Sequence, residues 1–394
     1  MNEPVIVGYV RSPVARAHPE KGFFRNIRSD DLAAMVVKEL VNRTGVKTSE
    51  IEDCIVGCAN QTEEQWLYGG RKITWLAGLP FEVGGLGVDR QCASSMSAVH
   101  VAAMGIKCGI GDVYIAAGLE SMLHIPMGHN ASVSDTLLSN ANFDLGTAMS
   151  MGLTAEKLFG MYKDKISKED MDQWSLRSHQ MAAKAREEGF FKDEILPIEV
   201  TLGDGTKRIV DYDQTVRVPG VETSLEKIAS LPPAFKEDGT ITAGNSSPLN
   251  DAAAAVMLMS KEKSKEYGLT PLATIKSMGW AGVDPTIMGT GPIPASRKAL
   301  KRAGLTADDI DFWEINEAFA IVTLVCIREL GIDPDKVNVK GGAIAIGHPL
   351  GMTGTRLVGT LARILNVEKS RYGIATACVG GGQGAATLLE RDEY

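Results

Sequence analysis

The sequence predicts an α/β fold that consists of two similar halves and a segment inserted between them. Short apolar runs, such as VIVGYV at residues 5–10 and VYIAAG at residues 113–118, alternate with longer helical patterns. Continuous apolar runs of this length are typical of strands buried on both faces of a sheet. The stretch SDDLAAMVVKELVNRTG at 29–45 is amphipathic and ends in Gly45, as expected for a helix that packs on such a sheet.

The two halves are indicated by internal similarity at a constant spacing. NRTGVKTSEIEDCIV resembles KRAGLTADDIDFWEI, so that Gly45 corresponds to Gly304, and YIAAG at 114–118 corresponds to GIATA at 373–377. Both matches have an offset of 259 residues. Two unrelated α/β segments can resemble each other by chance, but a constant register favours duplication of one unit.

These patterns predict three domains. The first half takes residues 1–121 together with about 248–270, and the second half takes residues 271–394. Residues 122–247 differ from both halves in pattern: polar loops are followed by a capped helix and by a hairpin arm. An insertion of this size between repeats is a candidate substrate-binding domain.

Composition excludes several classes of protein. The chain has 394 residues, 23% of them charged, and a net charge of −8, which argues against a general nucleic-acid binder. Its six cysteines are too sparse for a disulfide scaffold, so we expect free thiols in a reducing cytoplasm. The opening MNEPVIVGYV has no signal-peptide pattern, and the apolar runs are shorter than a membrane span requires.

The most distinctive corner of the first half is DRQCASSM, where Cys92 stands between a strand pattern and a helix pattern. A thiol at a helix N-terminus is expected to have a lowered pKa, which suits a nucleophile. Taken alone, core packing is the more common role for such a cysteine. Both interpretations therefore stay open for Cys92 on this pattern.

The second half offers His348 in GGAIAIGHPLGMTGTR, a glycine-rich turn before a helix. The offset of 259 residues places Cys92 opposite Gly351, three residues from His348. Repeats related by a pseudo-twofold axis would bring these corners together, and a Cys beside a His is the minimum for an activated thiol. A lone histidine is otherwise more often structural.

Two further motifs carry polar or reactive groups. CVGGGQGAA, from Cys378, is a weak dinucleotide motif and a better candidate for a tight turn whose N–H groups face a ligand. In INEAFA, Asn316 could orient a water molecule or a carbonyl, or could be a structural cap. Cys54 and Cys58 lack partners at zinc spacing and are expected in the core. His124 and His129 lie in a loop without a carboxylate pattern and are expected to be polar loop residues.

Together, CASSM, NEAFA, GGAIAIGHPLG and CVGGGQG occur in an order that resembles the thiolase family over essentially the whole chain. FRNIRSDDL, HIPMGHN, YDQTVR and PTIMGTGPIPAS are most similar to its degradative, β-oxidation type. The resemblance implies a five-layered α-β-α-β-α core of two halves with an inserted loop domain that binds coenzyme A. It also implies an acyltransferase that cleaves a 3-oxoacyl-CoA with CoA as co-substrate, with no permanently bound cofactor and no metal.

The resemblance also implies a role for each catalytic residue. Cys92 would be the nucleophile that carries the acyl group, and His348 its base. Cys378 would act as acid and base, Asn316 would hold a water in an oxyanion hole, and Gly380 would donate an N–H to the acyl oxygen. For coenzyme A the resemblance points to Met151, Arg217, Phe235, Ala243, Ser247, Ala318 and Phe319, with Arg217 as an adenine or phosphate contact.

Two departures from the biosynthetic branch of the family favour a degradative enzyme. That branch has a histidine where this chain has Ser150, and a longer loop, associated with tetramers, after the segment at 120–122. We therefore expect a homodimer, or the β-subunit of a larger complex, that acts on an aliphatic or an aromatic acyl group. The alternatives are a condensing enzyme, either acetoacetyl-CoA-forming or β-ketoacyl-synthase-like, and a non-catalytic acyl-CoA-binding subunit.

Overall fold

A computed structural model describes residues 2–140 and 144–392. The strands are β1 Pro4–Arg11, β2 Ala15–Arg16, β3 Asp53–Gly57, β4 Gly84–Val88, β5 Val113–Ser121, β6 Ile198–Thr201, β7 Lys207–Val210, β8 Asn250–Ser260, β9 Ala273–Gly282, β10 Phe312–Ile315, β11 Tyr372–Val379 and β12 Gln383–Glu390. The α-helices are α1 Ser29–Thr44, α2 Gly70–Leu76, α3 Ser94–Lys107, α4 Asp135–Leu138, α5 Leu145–Met149, α6 Met151–Tyr162, α7 Lys168–Glu187, α8 Leu225–Ala229, α9 Lys261–Glu266, α10 Pro292–Ala303, α11 Ala320–Leu330, α12 Ala343–Ile346 and α13 Thr353–Val367.

The large mixed sheet has the strand order β10-β11-β12-β9-β1-β8-β5-β3-β4, with β2 paired to β8. Its two groups of strands, one from each half, meet where β1 pairs with β9 over only two residue pairs, Val5 with Thr274 and Ile6 with Ala273. A junction this short lets the two groups diverge into separate layers. The α/β fold with a large central sheet is as predicted.

The layers follow from the alternation of side chains along the strands. Ala253, Ala255 and Met257 of β8 enter a core beneath α1 and α2, whereas Val256 and Leu258 enter a central core. Helices α3 and α13 lie in that central core and pack against strands of both groups. A third core lies beneath α10 and α11, so the order of layers is helix, sheet, helix, sheet, helix.

Elements of the two halves recur at the spacing found in the sequence. Strands β3 and β10 begin at 53 and 312, helices α3 and α13 at 94 and 353, and strands β5 and β11 at 113 and 372, each 259 residues apart. The starts of α3 and α13 touch: Ser95 N–H donates to the Gly351 carbonyl (3.1 Å), and Thr355 N–H donates to Ser95 Oγ (2.8 Å). A side chain at Gly354 would collide with the backbone of Met96.

Between β5 and β8 the chain forms α4 to α8 and the β6–β7 hairpin. Ser167 and Asp170 form the capping box that begins α7, and Gly189, with a φ of 77°, follows its end. None of the helices in the described ranges is long and apolar enough to cross a membrane.

Candidate active site

Cys92 lies in a short 3₁₀ turn, Gln91–Ala93, immediately before α3. Its side chain is 7% exposed and packs in a small apolar cluster with Ala59, Met122 and Leu350. Gln91 has a φ of 42°, in the left-handed region that side chains rarely adopt, and its N–H donates to Asp89 Oδ1 (2.6 Å). Backbone strain of this kind costs about 1–3 kcal/mol and concentrates at functional sites.

The N–H groups of Gly380 and of Cys92 itself favour the thiolate form of Cys92 and so lower the pKa of its thiol. Burial nevertheless raises the pKa of this thiol to about 11, and the charges of Glu120 and Asp89 add to the increase. The expectation that the helix N-terminus lowers the pKa of Cys92 is therefore wrong, because desolvation of the thiolate outweighs the N–H groups. A protonated thiol needs a base before it can act as a nucleophile.

His348 is buried, and its ring is oriented by two contacts. The backbone N–H of His348 donates to Asn250 Oδ1 (2.9 Å), and the ring Nδ1 lies 2.6 Å from Thr353 Oγ1. Because the Thr353 hydroxyl donates its proton to the Pro349 carbonyl (2.8 Å), its oxygen accepts from Nδ1–H of His348. The Nε2 atom is then left with its lone pair, to which Asn316 Nδ2 donates at 3.3 Å.

Burial, followed by the charge of Arg356, lowers the pKa of His348 to about 3. The ring is therefore neutral at physiological pH. Asn316 follows β10, and its Oδ1 is buried and has no hydrogen-bond partner in the described part of the chain. An amide oxygen left in this state is suited to hold an ordered water or a substrate group.

Cys378 is buried on β11, opposite Gly384 of β12. Burial raises the pKa of its thiol well above the usual value, and the next contribution is the charge of Cys92. The two sulfur groups are thus close enough to interact electrostatically. The hairpin after Cys378 turns through Gly381 and Gly382, both with a φ of 79°, which leaves the preceding Gly380 N–H aimed at Cys92.

Two buried carboxylates that the sequence analysis did not single out support this arrangement. Glu120 accepts N–H donors from Ala59 (2.9 Å), Asn60 (3.1 Å) and Gly351 (2.8 Å), and so connects the two halves beside Cys92. Burial raises the pKa of Glu120. The sequence signal that could have identified Glu120 is an acidic residue at the end of a continuous apolar strand, because a buried carboxylate there must be paired.

Glu317, next to Asn316, is the second of these carboxylates. It accepts from Trp174 Nε1 (3.0 Å), Ser178 Oγ (2.7 Å) and Asn338 Nδ2 (2.7 Å), and also from a backbone N–H of α12. The Asn316–Glu317 segment is thereby fixed to α7 of the insertion.

A cleft of about 270 Å³ lies between the insertion and the first half. Its lining includes Arg217 and Ala243, predicted for coenzyme A, together with Arg16 and His18, which were not predicted. No carboxylate lines the cleft, and neither arginine side chain has an ion pair or hydrogen bond to the residues the structure describes. Ala17 lines the cleft and also packs against the apolar cluster of Cys92, so the cleft leads towards the thiol.

The other residues predicted for coenzyme A lie together beside the cleft. The Phe235 and Phe319 rings meet edge to face with centroids 6.0 Å apart, and Phe235 lies against Gly152 at the start of α6, next to Met151. Ser247 N–H donates to the Ala318 carbonyl (3.0 Å). Met151 also approaches the position that a side chain at Gly380 would occupy, which connects this group to the catalytic turn.

The remaining sequence-based expectations concern two other cysteines and two histidines. Cys54 and Cys58 are buried, as predicted. His124 and His129 lie in turns, as predicted, and they pair with Glu64 (3.0 Å) and with Glu63 (2.6 Å), whose segment is distant in sequence. Residues 141–143, within the insertion that is a candidate substrate-binding domain, lie outside the described residues.

Comparisons with known proteins agree with this geometry. The family model described as "Thiolase, N-terminal domain" matches residues 4–262, and "Thiolase, C-terminal domain" matches residues 269–391. Together they account for nearly all of the chain.

Individual relatives cover the full length as well. The chain is 46% identical to a 3-ketoacyl-CoA thiolase of Marinomonas sp., over 99% of this chain and 98% of that protein. It is also 46% identical to a 3-ketoacyl-CoA thiolase of Bacillus subtilis, over 99% and 100%. A crystal structure of the Bacillus anthracis acetyl-CoA acetyltransferase superposes with a TM-score of 0.88 at 39% identity, covering 99% of both chains.

Proposed function

Because the chain belongs to the thiolase family, we propose that it cleaves a 3-oxoacyl-CoA with CoA through an acyl thioester on Cys92. The enzyme class, an acyltransferase, is confirmed by the family and by its full-length relatives. The observations that carry the mechanism are the electrostatic interaction of Cys92 with Cys378 and the packing of Cys92 against Leu350, two residues after the buried His348. Relatives named 3-ketoacyl-CoA thiolase support the choice of substrate.

In the first step the sulfur of Cys92 attacks the keto carbon of the substrate. His348 Nε2, which carries the lone pair, takes the thiol proton as the carbon–sulfur bond forms. With the pKa of the thiol at about 11 and that of the ring at about 3, the proton rests on sulfur until a substrate is bound. Concerted transfer of this kind protects the enzyme from a permanently reactive thiolate.

In the second step the bond between C2 and C3 breaks, and its electron pair moves onto C2 to give the enolate of acetyl-CoA. The raised pKa of Cys378 means that this thiol is protonated and can donate its proton to C2. The enolate oxygen would be held by protonated His348 and by a water on Asn316, whose Oδ1 has no other partner among the described residues. The acyl group remains on Cys92, with its oxygen against the Gly380 N–H.

In the third step a CoA thiol replaces acetyl-CoA. The Cys378 thiolate takes the proton of that thiol, and the CoA sulfur attacks the acyl carbon. Cys92 leaves and takes back its proton from His348, so the shortened acyl-CoA is released and each group returns to its starting state. No proton is gained or lost over the cycle.

For coenzyme A we propose the cleft beside the insertion, with residues 122–247 as the CoA-binding domain. Arg16 and Arg217, whose side chains have no ion pair or hydrogen bond to the described residues, are suited to the phosphate groups. The aromatic pair Phe235 and Phe319, together with Met151, Ala243, Ser247 and Ala318, provides an apolar wall with backbone polar groups for the pantetheine arm.

Replacing Arg217 or Arg16 by methionine should raise the KM for CoA about tenfold and change kcat little, because a charge-assisted contact contributes about 1.5–3 kcal/mol. Steady-state thiolysis with varied CoA measures this effect. Pantetheine, a thiol without the nucleotide phosphates, serves as the control acceptor, and its KM should be unaffected. An equal rise for both thiols would contradict a phosphate role.

We also infer a degradative role. Ser150 precedes α6 as its N-cap, where the biosynthetic branch has a histidine. The alternatives are a condensing enzyme and a non-catalytic subunit, but the presence of Cys92, His348 and Cys378, all of them buried, favours thiolysis. A thiolysis assay over 3-oxoacyl-CoAs of increasing length, with aromatic ones included, tests the proposal, and no turnover with any of them would refute it.

A homodimer is supported by the free edge of the sheet. Strand β4 is at that edge, and beside it large apolar side chains are exposed. They belong to one surface, because Arg71 donates to the carbonyls of Phe81 and Val83 and lies over the Trp75 ring. An unpaired edge with an apolar border is expected to pair with a second copy.

Replacing Phe81, which is 80% exposed, and Leu86 together by aspartate should convert the dimer into a monomer of 42.1 kDa. Sedimentation velocity measures the mass of the particle. Val221→Asp, on an exposed apolar residue of the insertion, is the matched control and should remain dimeric. A monomeric wild type, or a dimeric double variant, would exclude this interface. Copurification of a different chain would indicate the larger complex.

We further infer a cytoplasmic location. The six cysteines are all free thiols, and five of them are buried. Free thiols persist in a reducing compartment. Fractionation of cells with an antibody against the chain tests this, and recovery from a periplasmic or secreted fraction would refute it.

A further inference from the structure

Beside the His348–Asn316 pair lies a second polar pair that the reaction steps do not use. Glu314 of β10 and Arg356 of α13 are each only 1% exposed, and Arg356 Nη1 lies 3.8 Å from Glu314 Oε2. Both carboxylate oxygens and all three guanidinium nitrogens have no hydrogen-bond partner in the described part of the chain. Buried polar atoms that lack protein partners are usually hydrogen-bonded to ordered water, so we expect water between the two groups.

The backbone places each member of this pair close to one of the two residues that contact the His348 ring. Glu314 precedes Asn316 by two residues on an extended segment, so their side chains point to the same side. Arg356 follows Thr353, which orients His348 Nδ1, by three residues on α13 and therefore lies on the same face of that helix. The cation is thus held one helical turn from the contact that fixes the imidazole.

We propose that Arg356 is a positioning residue for this base: its buried cation opposes a second proton on His348, and Glu314 with ordered water holds the guanidinium in place. This inference rests on the proposed role of His348. A nearby positive charge makes the imidazolium less favourable, so the ring is kept neutral and ready to take the proton of Cys92. It also returns its proton readily when Cys92 leaves in the last step.

The charges around the pair agree with this assignment. Arg356 is the charge that contributes to the low pKa of His348, after burial. Burial raises the pKa of Glu314 to about 8, Arg356 opposes that rise, and Glu317 and Glu194 increase it. Tyr9 of β1 is close enough to Arg356 for an electrostatic interaction. The charges that face Cys92 are instead Glu120 and Asp89, so an effect of Arg356 on the thiol must pass through His348.

The experiment measures alkylation of Cys92 by iodoacetamide at pH 7, with peptide mass analysis to separate Cys92 from the exposed Cys108. Arg356→Met should raise the alkylation rate about three- to tenfold, because a rise of one unit in the pKa of His348 increases the thiolate–imidazolium form tenfold. Arg356→Lys, which keeps the charge, should react like wild type. Arg363→Met is the matched control, since Arg363 lies two turns further along α13 and pairs with Glu194 (3.0 Å).

A lone buried carboxylate can prevent folding, so the double variant Glu314→Gln, Arg356→Met is also made, and it should show the same acceleration. A His348→Asn background separates the two hypotheses. There, alkylation should be slow, and Arg356→Met should add nothing. Fast alkylation of His348→Asn alone would overturn the role of the base. Slow alkylation there, with no acceleration by either Arg356→Met variant in the wild-type background, would overturn only the role of Arg356.

Discussion

Replacing Cys92 by serine should lower kcat/KM for thiolysis by about a thousandfold or more, the scale of loss seen when an enzyme nucleophile is removed. A serine hydroxyl is far less acidic than a thiol, and the proposed base, His348, has a pKa of only about 3. The variant should keep its fold, because the exchanged atom is small and the site is partly polar. Thiolysis assays with saturating CoA give the rate.

Intact-protein mass provides the companion measurement. Wild type mixed with a 3-oxoacyl-CoA and no CoA should gain the mass of the acyl group on Cys92, and Cys92→Ser should not. Cys108→Ser, at the exposed cysteine, is the matched control and should behave as wild type. Retention of the acyl group by the Cys92 variant, or its location on another residue, would refute the proposed intermediate.

Replacing Cys378 by serine should lower kcat by a similar factor, about 10³, for a different reason. Both the proton for C2 of the leaving enolate and the removal of the proton from the CoA thiol depend on this side chain, and general acid–base catalysis contributes about 10²–10⁴. A hydroxyl can donate a hydrogen bond but is too weak an acid to protonate carbon. Assays of thiolysis and of the reverse condensation measure the loss of kcat.

Alkylation of Cys92 distinguishes this variant from general damage to the site. Because His348 keeps its contacts with Thr353 and Asn316, the reaction of Cys92 with iodoacetamide in Cys378→Ser should stay within about twofold of wild type. If alkylation falls together with turnover, Cys378 supports the structure of the site rather than the proton transfers.

Much of the fold could be predicted from local sequence patterns. The apolar runs from Val5 and Val113 became strands buried on both faces, and the spacing of 259 residues recurs in the starts of α3 and α13. Strand and helix periodicity are short-range properties, so a single chain displays them directly. The family assignment, based on four motifs in order, is confirmed.

Other properties of the site depend on groups that are far apart in the sequence. The pKa of Cys92 was predicted to be lowered by its helix, but the packing of Met122 and Leu350 over the thiol raises it instead. The carboxylate partner of His124 and the position of Arg16 in the lining of the cleft could likewise not be predicted from the sequence. Each depends on contact between segments that are more than fifty residues apart.

The sequence by itself therefore determined the strands and helices, the repeat, the family and the identity of Cys92, His348, Asn316 and Cys378 as candidates. Only the tertiary structure decided the tautomer of His348, the protonated state of Cys92 and the burial of Glu314 with Arg356. The physical reason is that motifs and periodicity are local, whereas desolvation and charge interactions are set by whatever the fold packs around each group.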